Sequence, residues 1–138
     1  MKRDVAEALI VNEKNEILLQ KKTRDYKFAP GGFWTVFGGE IKDGESPEQA
    51  LRREIKEEIN YDAKQLTLFK ICDYELPQNG VEGRRYIFIV RFHGSVSQIS
   101  LSEGCGFGFF SAGELDSLKI QRMPLDDLKE YFKSDGHI

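Results

Sequence analysis

No stretch of this sequence approaches the about 20 consecutive apolar residues of a membrane-spanning helix. The N-terminal segment MKRDVAEALIVNEKNEILLQKK reaches only the short run ALIV. It also lacks the apolar core and small-residue cleavage site of a secretory signal. A cytoplasmic protein without membrane association is therefore expected. Cysteine is nearly missing: only Cys72 and Cys105 occur, neither in metal-motif spacing. Two thiols do not make a disulfide framework, and in a chain without an export signal they are expected to stay reduced. An excess of positive charge is absent too. With 20 Lys and Arg against 23 Asp and Glu, the net charge is −3. That balance excludes a protein that wraps a nucleic acid polymer, because polyphosphate is bound by basic surfaces. Small anionic ligands remain open if a metal supplies the positive charge. His93 and His137, the two histidines, have no metal or nucleophile partners in sequence.

What is present is a chain of 138 residues with 40% hydrophobic and 31% charged side chains. This suits one soluble domain spanning 1–138, large enough for a substantial core. The runs VAEALIV and EILLQKK read as β-strands joined by the polar turn NEKN, an opening antiparallel hairpin. A loop rich in breakers and aromatics, TRDYKFAPGGFW, has the composition of a flap, and TVFGG then reads as a brief strand. Further on, LTLFKICDYEL and RRYIFIVRFHGSV read as longer strands joined across PQNGVEG, followed by a short strand FGFFS and the segment GELDSL. The closing segment MPLDDLKEYF is helical, with Pro124 in its first turn and Leu125, Leu128 and Phe132 on one face.

Between these strands lies GGEIKDGESPEQALRREIKEEINY. Ser46 is placed as the N-cap of a helix, with Pro47 at its first position and Gln49 completing a capping box. Asn60 stands where a left-handed residue stops the helix. At about 100° per residue, Leu51, Ile55 and Ile59 form a buried stripe, and Gln49, Arg52, Arg53 and Lys56 cover the opposite side. Glu54 and Glu58 flank the direction of Leu51, and Glu57 lies near Ala50, so three carboxylates border the apolar face. A solvated helix held by pairs such as Arg53 with Glu57 explains Arg53, but not the position of Glu54 and Glu58. A hard divalent cation explains them, since Mg²⁺ takes carboxylate oxygens and removes their mutual repulsion.

The stretch from Gly39 to Tyr61 resembles the signature of the Nudix hydrolases: Gly39, Glu45, Arg53, Glu54, Ile55, Glu57 and Glu58 all fall in register. Asn60 and Tyr61 depart from it, standing where the family has glycine and an aliphatic residue. The resemblance implies an α/β fold, an α/β/α sandwich with a mixed, mainly antiparallel sheet. It also implies an enzyme that hydrolyses a phosphoanhydride in a nucleoside diphosphate derivative with Mg²⁺ or Mn²⁺. It places metal ligands at Glu54, Glu57, Glu58 and the Gly38 carbonyl, with Glu54 also a candidate base, and reads Arg53 with Glu45 as an orienting ion pair. Glu103 corresponds to a further loop glutamate that some members bring to the metal, and Lys22 to a phosphate-contacting position. Both also read as ordinary surface residues. The favoured substrate is a nucleoside triphosphate, including oxidised ones, cleaved to monophosphate and pyrophosphate. Nucleotide sugars and dinucleoside polyphosphates are the rival substrates. A non-catalytic ligand-sensing module is a further alternative, disfavoured because every signature glutamate is present. Tyr26, Phe28, Phe33 and Trp34 are candidates to stack on a base or simply to pack the loop. The sequence leaves the oligomeric state open.

Overall fold

A computed structural model describes residues 1–23, 32–101 and 106–134. Its chain order is β1 (Val5–Val11), β2 (Ile17–Lys21), β3 (Trp34–Thr35), β4 (Phe37–Glu40), α1 (Pro47–Ile59), β5 (Leu66–Leu76), β6 (Val81–Arg91), β7 (Gly106–Phe110) and α2 (Arg122–Ser134). The turn after β1 is built by Asn12, whose side-chain oxygen accepts the backbone N–H groups of Lys14 and Glu16, and by Asn15 at φ 60°. Asparagine tolerates that left-handed conformation, so NEKN closes the hairpin as its composition suggests.

The strands form one sheet in which β1 runs parallel to β6 and all other pairings are antiparallel. The opening hairpin does not stay zipped. β1 and β2 meet at Val11↔Ile17, and farther from the turn β4 lies against β1 while β3 lies against β2. The expected single strand TVFGG is therefore two strands broken at Val36, filling the fork between β1 and β2. The second hairpin is also tighter than PQNGVEG suggested. The chain reverses at Pro77–Asn79 with Gly80 at φ 64°, so β6 begins at Val81 and ends at Arg91. GELDSL falls on a 3-10 turn, Ala112–Ser117, and supplies its C-cap, Leu118.

Alternation along the strands divides the core into two layers. Ala6, Ala8 and Ile10 of β1 pack with Leu18, Phe37, Phe88 and the α1 stripe Leu51, Ile55 and Ile59. Leu9, Val11, Ile17, Leu19 and Ile87 face the other way, onto Leu128, Tyr131 and Phe132 of α2. This is an α/β/α sandwich. Each fully buried aliphatic side chain in the α1 stripe contributes about 1.5–3 kcal/mol. That is enough to seat the helix against the fork despite its polar outer face. The helix ends as its sequence specifies: Ser46 accepts the Gln49 N–H, the reciprocal Gln49 bond is made, and Asn60 adopts φ 56°.

The α2 layer also contains a charge network. Arg85 of β6 pairs with Glu7 of β1 at 2.8 Å and with Asp127 of α2, and Lys70 of β5 reaches Asp127 at 2.7 Å and Glu130 at 3.0 Å. Arg85 and Asp127 are almost fully buried.

Candidate active site

The open end of the fork faces the acidic side of α1, and two glycines make that approach possible. Gly38 has φ 148°, and a Cβ there would collide with the Ala6 carbonyl of β1. At Gly39 the obstacle is different: a Cβ would overlap the Glu54 carboxyl group. The strand gives up a side chain so that a helix carboxylate can lie on its backbone.

The three helix carboxylates have unequal surroundings. Glu58 is 7% exposed. Its Oε1 accepts the Gly38 N–H at 3.1 Å, and its Oε2 accepts the Gln20 amide at 3.3 Å. Burial pushes its pKa up to about 7, repulsion from Glu54 adds to the rise, and the Gln20 bond, Lys22 and the Gly38 N–H oppose it. Glu54 is partly buried, and burial raises its pKa against the pull of Arg53. Glu57, expected at the border of the apolar face, points outward with 58% of its side chain exposed. On the helical wheel it falls just past Ala50, at the limit of the face covered by the sheet.

Arg53 ties the outer part of this group together. It grips Glu45 with two nitrogens, Nε to Oε2 at 2.7 Å and Nη2 to Oε1 at 3.0 Å. Its Nη1 reaches Glu54 at 3.0 Å and Glu57 at 3.3 Å, and Nη2 also donates to the Glu40 carbonyl. The bidentate grip on Glu45 fixes the guanidinium plane. The Arg53 hydrogen bond, aided by the Lys42 backbone N–H, lowers the Glu45 pKa to about 2, and the same pairing raises that of Arg53.

A Nudix domain model matches residues 1–137. The chain belongs to the Nudix family. It is 36% identical over 80 residues to the 8-oxo-dGTP diphosphatase of Proteus vulgaris, an alignment covering 58% of this chain and 70% of that protein. The 8-oxo-dGTP diphosphatase of Escherichia coli is 35% identical over 80 residues, covering 58% and 60%. Thus the alignments span between three fifths and seven tenths of these relatives' lengths. The solved MutT protein from Methanosarcina mazei superposes with a TM-score of 0.81 at 21% identity, covering 99% of this chain and 96% of that one. At that identity the superposition speaks for the fold alone. As a Nudix member with homologues that cleave nucleotide anhydrides, this chain is a pyrophosphohydrolase.

Nudix hydrolases generally use divalent metal ions, and the donors here fit one chemically. Three carboxylates and a nearby backbone carbonyl are hard oxygen ligands, and burial has left Glu54 and Glu58 costly to ionise without a positive charge beside them. The carboxylates are not already gathered: among the described residues no group of three His, Cys, Asp or Glu side chains is assembled to hold an ion. Glu57 is turned to Arg53 instead.

The structure brings Gly38, Glu54, Glu58, Arg53 and Glu45 together, with Glu57 at the outer edge. Lys22, one residue past β2, is only 9% exposed and lines a cavity with Gln20, Thr35, Gly38 and Gly39, so it is not a solvated strand-end lysine. Glu103, Tyr26 and Phe28 lie outside the described residues. Phe33 carries Lys119 4.5 Å above its ring, and Trp34 packs edge-on against Phe110. Sequence reasoning missed Gln20. Its signal was available, since two-residue alternation from Leu18 puts this amide on the α1 side of β2, where an apolar side chain is expected.

Proposed function

We propose that this chain hydrolyses an oxidised purine nucleoside triphosphate of the 8-oxo-dGTP type, releasing the monophosphate and pyrophosphate. The observation that carries the reading is the seating of Glu54 and Glu58 against Gly38 and Gly39, with Arg53 spanning Glu45, Glu54 and Glu57. The named activity of the Proteus and Escherichia relatives supports the substrate class.

In this reading Glu54, Glu57, Glu58 and the Gly38 carbonyl hold Mg²⁺ or Mn²⁺. When bound, the ion neutralises charge developing on the phosphate oxygens. Arg53, fixed by Glu45, holds Glu54 and Glu57 at the helix edge until the substrate arrives. Glu54 has a raised pKa and a side chain reaching the Gly39 backbone, which suits it to take the proton of the attacking water. Lys22, which lines the adjoining cavity, would supply positive charge to the substrate's phosphates. Glu103 is assigned a supporting role at the metal.

A turnover screen with Mg²⁺ across 8-oxo-dGTP, unmodified triphosphates, nucleotide sugars and dinucleoside polyphosphates tests the proposal. The highest kcat/KM on the oxidised triphosphate, with pyrophosphate as product, is the expected result. A higher kcat/KM on a nucleotide sugar or dinucleoside polyphosphate would replace the substrate assignment.

A further inference from the structure

Gln20 is a polar side chain where the fold calls for an apolar one. It lies on β2 two residues after Leu18, on the layer that packs against α1, and is 1% exposed. Its backbone is fixed from both sides, opposite Thr35 of β3 and Phe107 of β7. The amide nitrogen donates to the Val36 carbonyl and to Glu58 Oε2, both at 3.3 Å. With Glu58 ionised, the amide has one workable orientation. Turned over, it would set its oxygen against a carbonyl and a carboxylate, two acceptors. In the orientation found, Gln20 Oε1 is buried and makes no hydrogen bond to the described residues, an arrangement that costs stability. That orientation places a donor on Glu58.

Glu58 is consequently gripped at both oxygens by groups that belong to the sheet: Gln20 on one and the Gly38 N–H on the other. Glu54 and Glu57 are held instead by Arg53, a long side chain on their own helix. We propose that Gln20 is a positioning residue for the metal site, orienting the Glu58 carboxylate so that one ligand stands ready before the ion and substrate arrive. This rests on the reading of Glu58 as a metal ligand. Preorganisation of this kind lowers the cost of binding without adding a contact to the ion.

The test is a Mn²⁺ titration followed by electron paramagnetic resonance on the wild type, Gln20→Met and Glu58→Gln. Methionine fills similar volume without a donor. Gln20→Met is expected to raise the Mn²⁺ dissociation constant at least about tenfold. In kinetics its apparent KM for metal should rise while kcat at saturating metal stays within about threefold, a split that general damage to the fold would not give. Wild-type Mn²⁺ affinity in Gln20→Met, with affinity lost in Glu58→Gln, overturns the role of Gln20 alone. Wild-type affinity in both variants overturns the metal reading of Glu58 and this proposal with it. If Gln20→Met does not fold, the wild type answers the question. The Gln20 side-chain amide signal in a nitrogen-15 spectrum should shift on Mg²⁺ addition, saturating with the metal's own dissociation constant. An unmoved signal overturns the proposal.

Discussion

The two faces of the sheet each carry a cluster of charged side chains, and the clusters are balanced differently. On the α2 face two cations, Arg85 and Lys70, meet three carboxylates, Glu7, Asp127 and Glu130. On the α1 face one guanidinium, Arg53, meets Glu45, Glu54 and Glu57, while Glu58 takes its hydrogen bonds from neutral donors. The first cluster is nearly complete as it stands. The second sets Arg53 and the nearby Lys22 against four carboxylates, so it is short of positive charge, and its most buried member, Glu58, takes both of its described hydrogen bonds from neutral donors. Glu7 and Arg85 also line the cavity that Gln20 and Lys22 line, so what separates the two clusters among the described residues is charge balance rather than burial or distance from the site.

Removing a cation from the balanced cluster should have the largest effect. Arg85→Met leaves Glu7 and Asp127 short of their partner in the core and is expected to cost about 3–5 kcal/mol of stability. Denaturant melts should give the same loss in chelator and in Mg²⁺. A loss that Mg²⁺ restores would place the metal chemistry on the wrong face.

Glu57 provides the converse case. Because it is exposed and paired with Arg53, Glu57→Gln should change metal-free stability by no more than about 0.5 kcal/mol. Turnover should still fall at least about 100-fold, near 2.7 kcal/mol of transition-state stabilisation. Near-normal turnover in the purified variant would remove Glu57 from the site.

The acid cluster divides further by pH. The Glu45 pKa is depressed to about 2 by Arg53. Its contribution is thus present above the ordinary value of 4.5 and lost as pH falls toward 2. Glu58 has the opposite sign: raised to about 7 by burial, it contributes fully below 4.5, and that contribution is lost as pH rises through 7. Glu45→Gln should flatten the acid limb of metal-free melting temperature against pH and leave the limb between 4.5 and 7 in place. Loss of both limbs together would mean that the two carboxylates titrate as one unit. As a reference for ordinary surface charge, Lys56→Met breaks the exposed pair with Asp62 and should stay within about 0.5 kcal/mol under every condition.

Much of the α1 face was legible in sequence because its information is local. Ser46, Pro47, Gln49 and Asn60 specify the helix ends within one segment, and the spacing of Glu54, Glu57 and Glu58 specifies the acidic side. The difference in burial among those three was not legible, because it depends on where the fork between β1 and β2 receives the helix. The α2-face network joins residues 78 and 42 positions apart, Glu7 to Arg85 and Arg85 to Asp127, which helical and strand periodicity cannot pair. A trace of it was visible, since Asp127 shares helical spacing with the buried Pro124 and Tyr131. Gln20 gave a similar trace within ILLQK. In both cases a polar residue on an apolar face was the local sign of a distant partner.

The α1 cluster is expected to be strained by its excess of buried acid and relieved by a divalent cation. A direct test compares melts of wild type and Glu58→Gln at pH 5 and pH 8, in chelator and in saturating Mg²⁺. In chelator the wild type is expected to lose stability between the two pH values as Glu58 ionises, and Glu58→Gln, whose amide also meets the Gln20 and Gly38 donors, is expected to lose that pH dependence. At a hundredfold excess over its dissociation constant, Mg²⁺ should stabilise the wild type by about 2.7 kcal/mol and the variant much less. The same pH dependence in both proteins, with Mg²⁺ shifting both equally, would mean that Glu58 neither resists ionisation nor holds the ion.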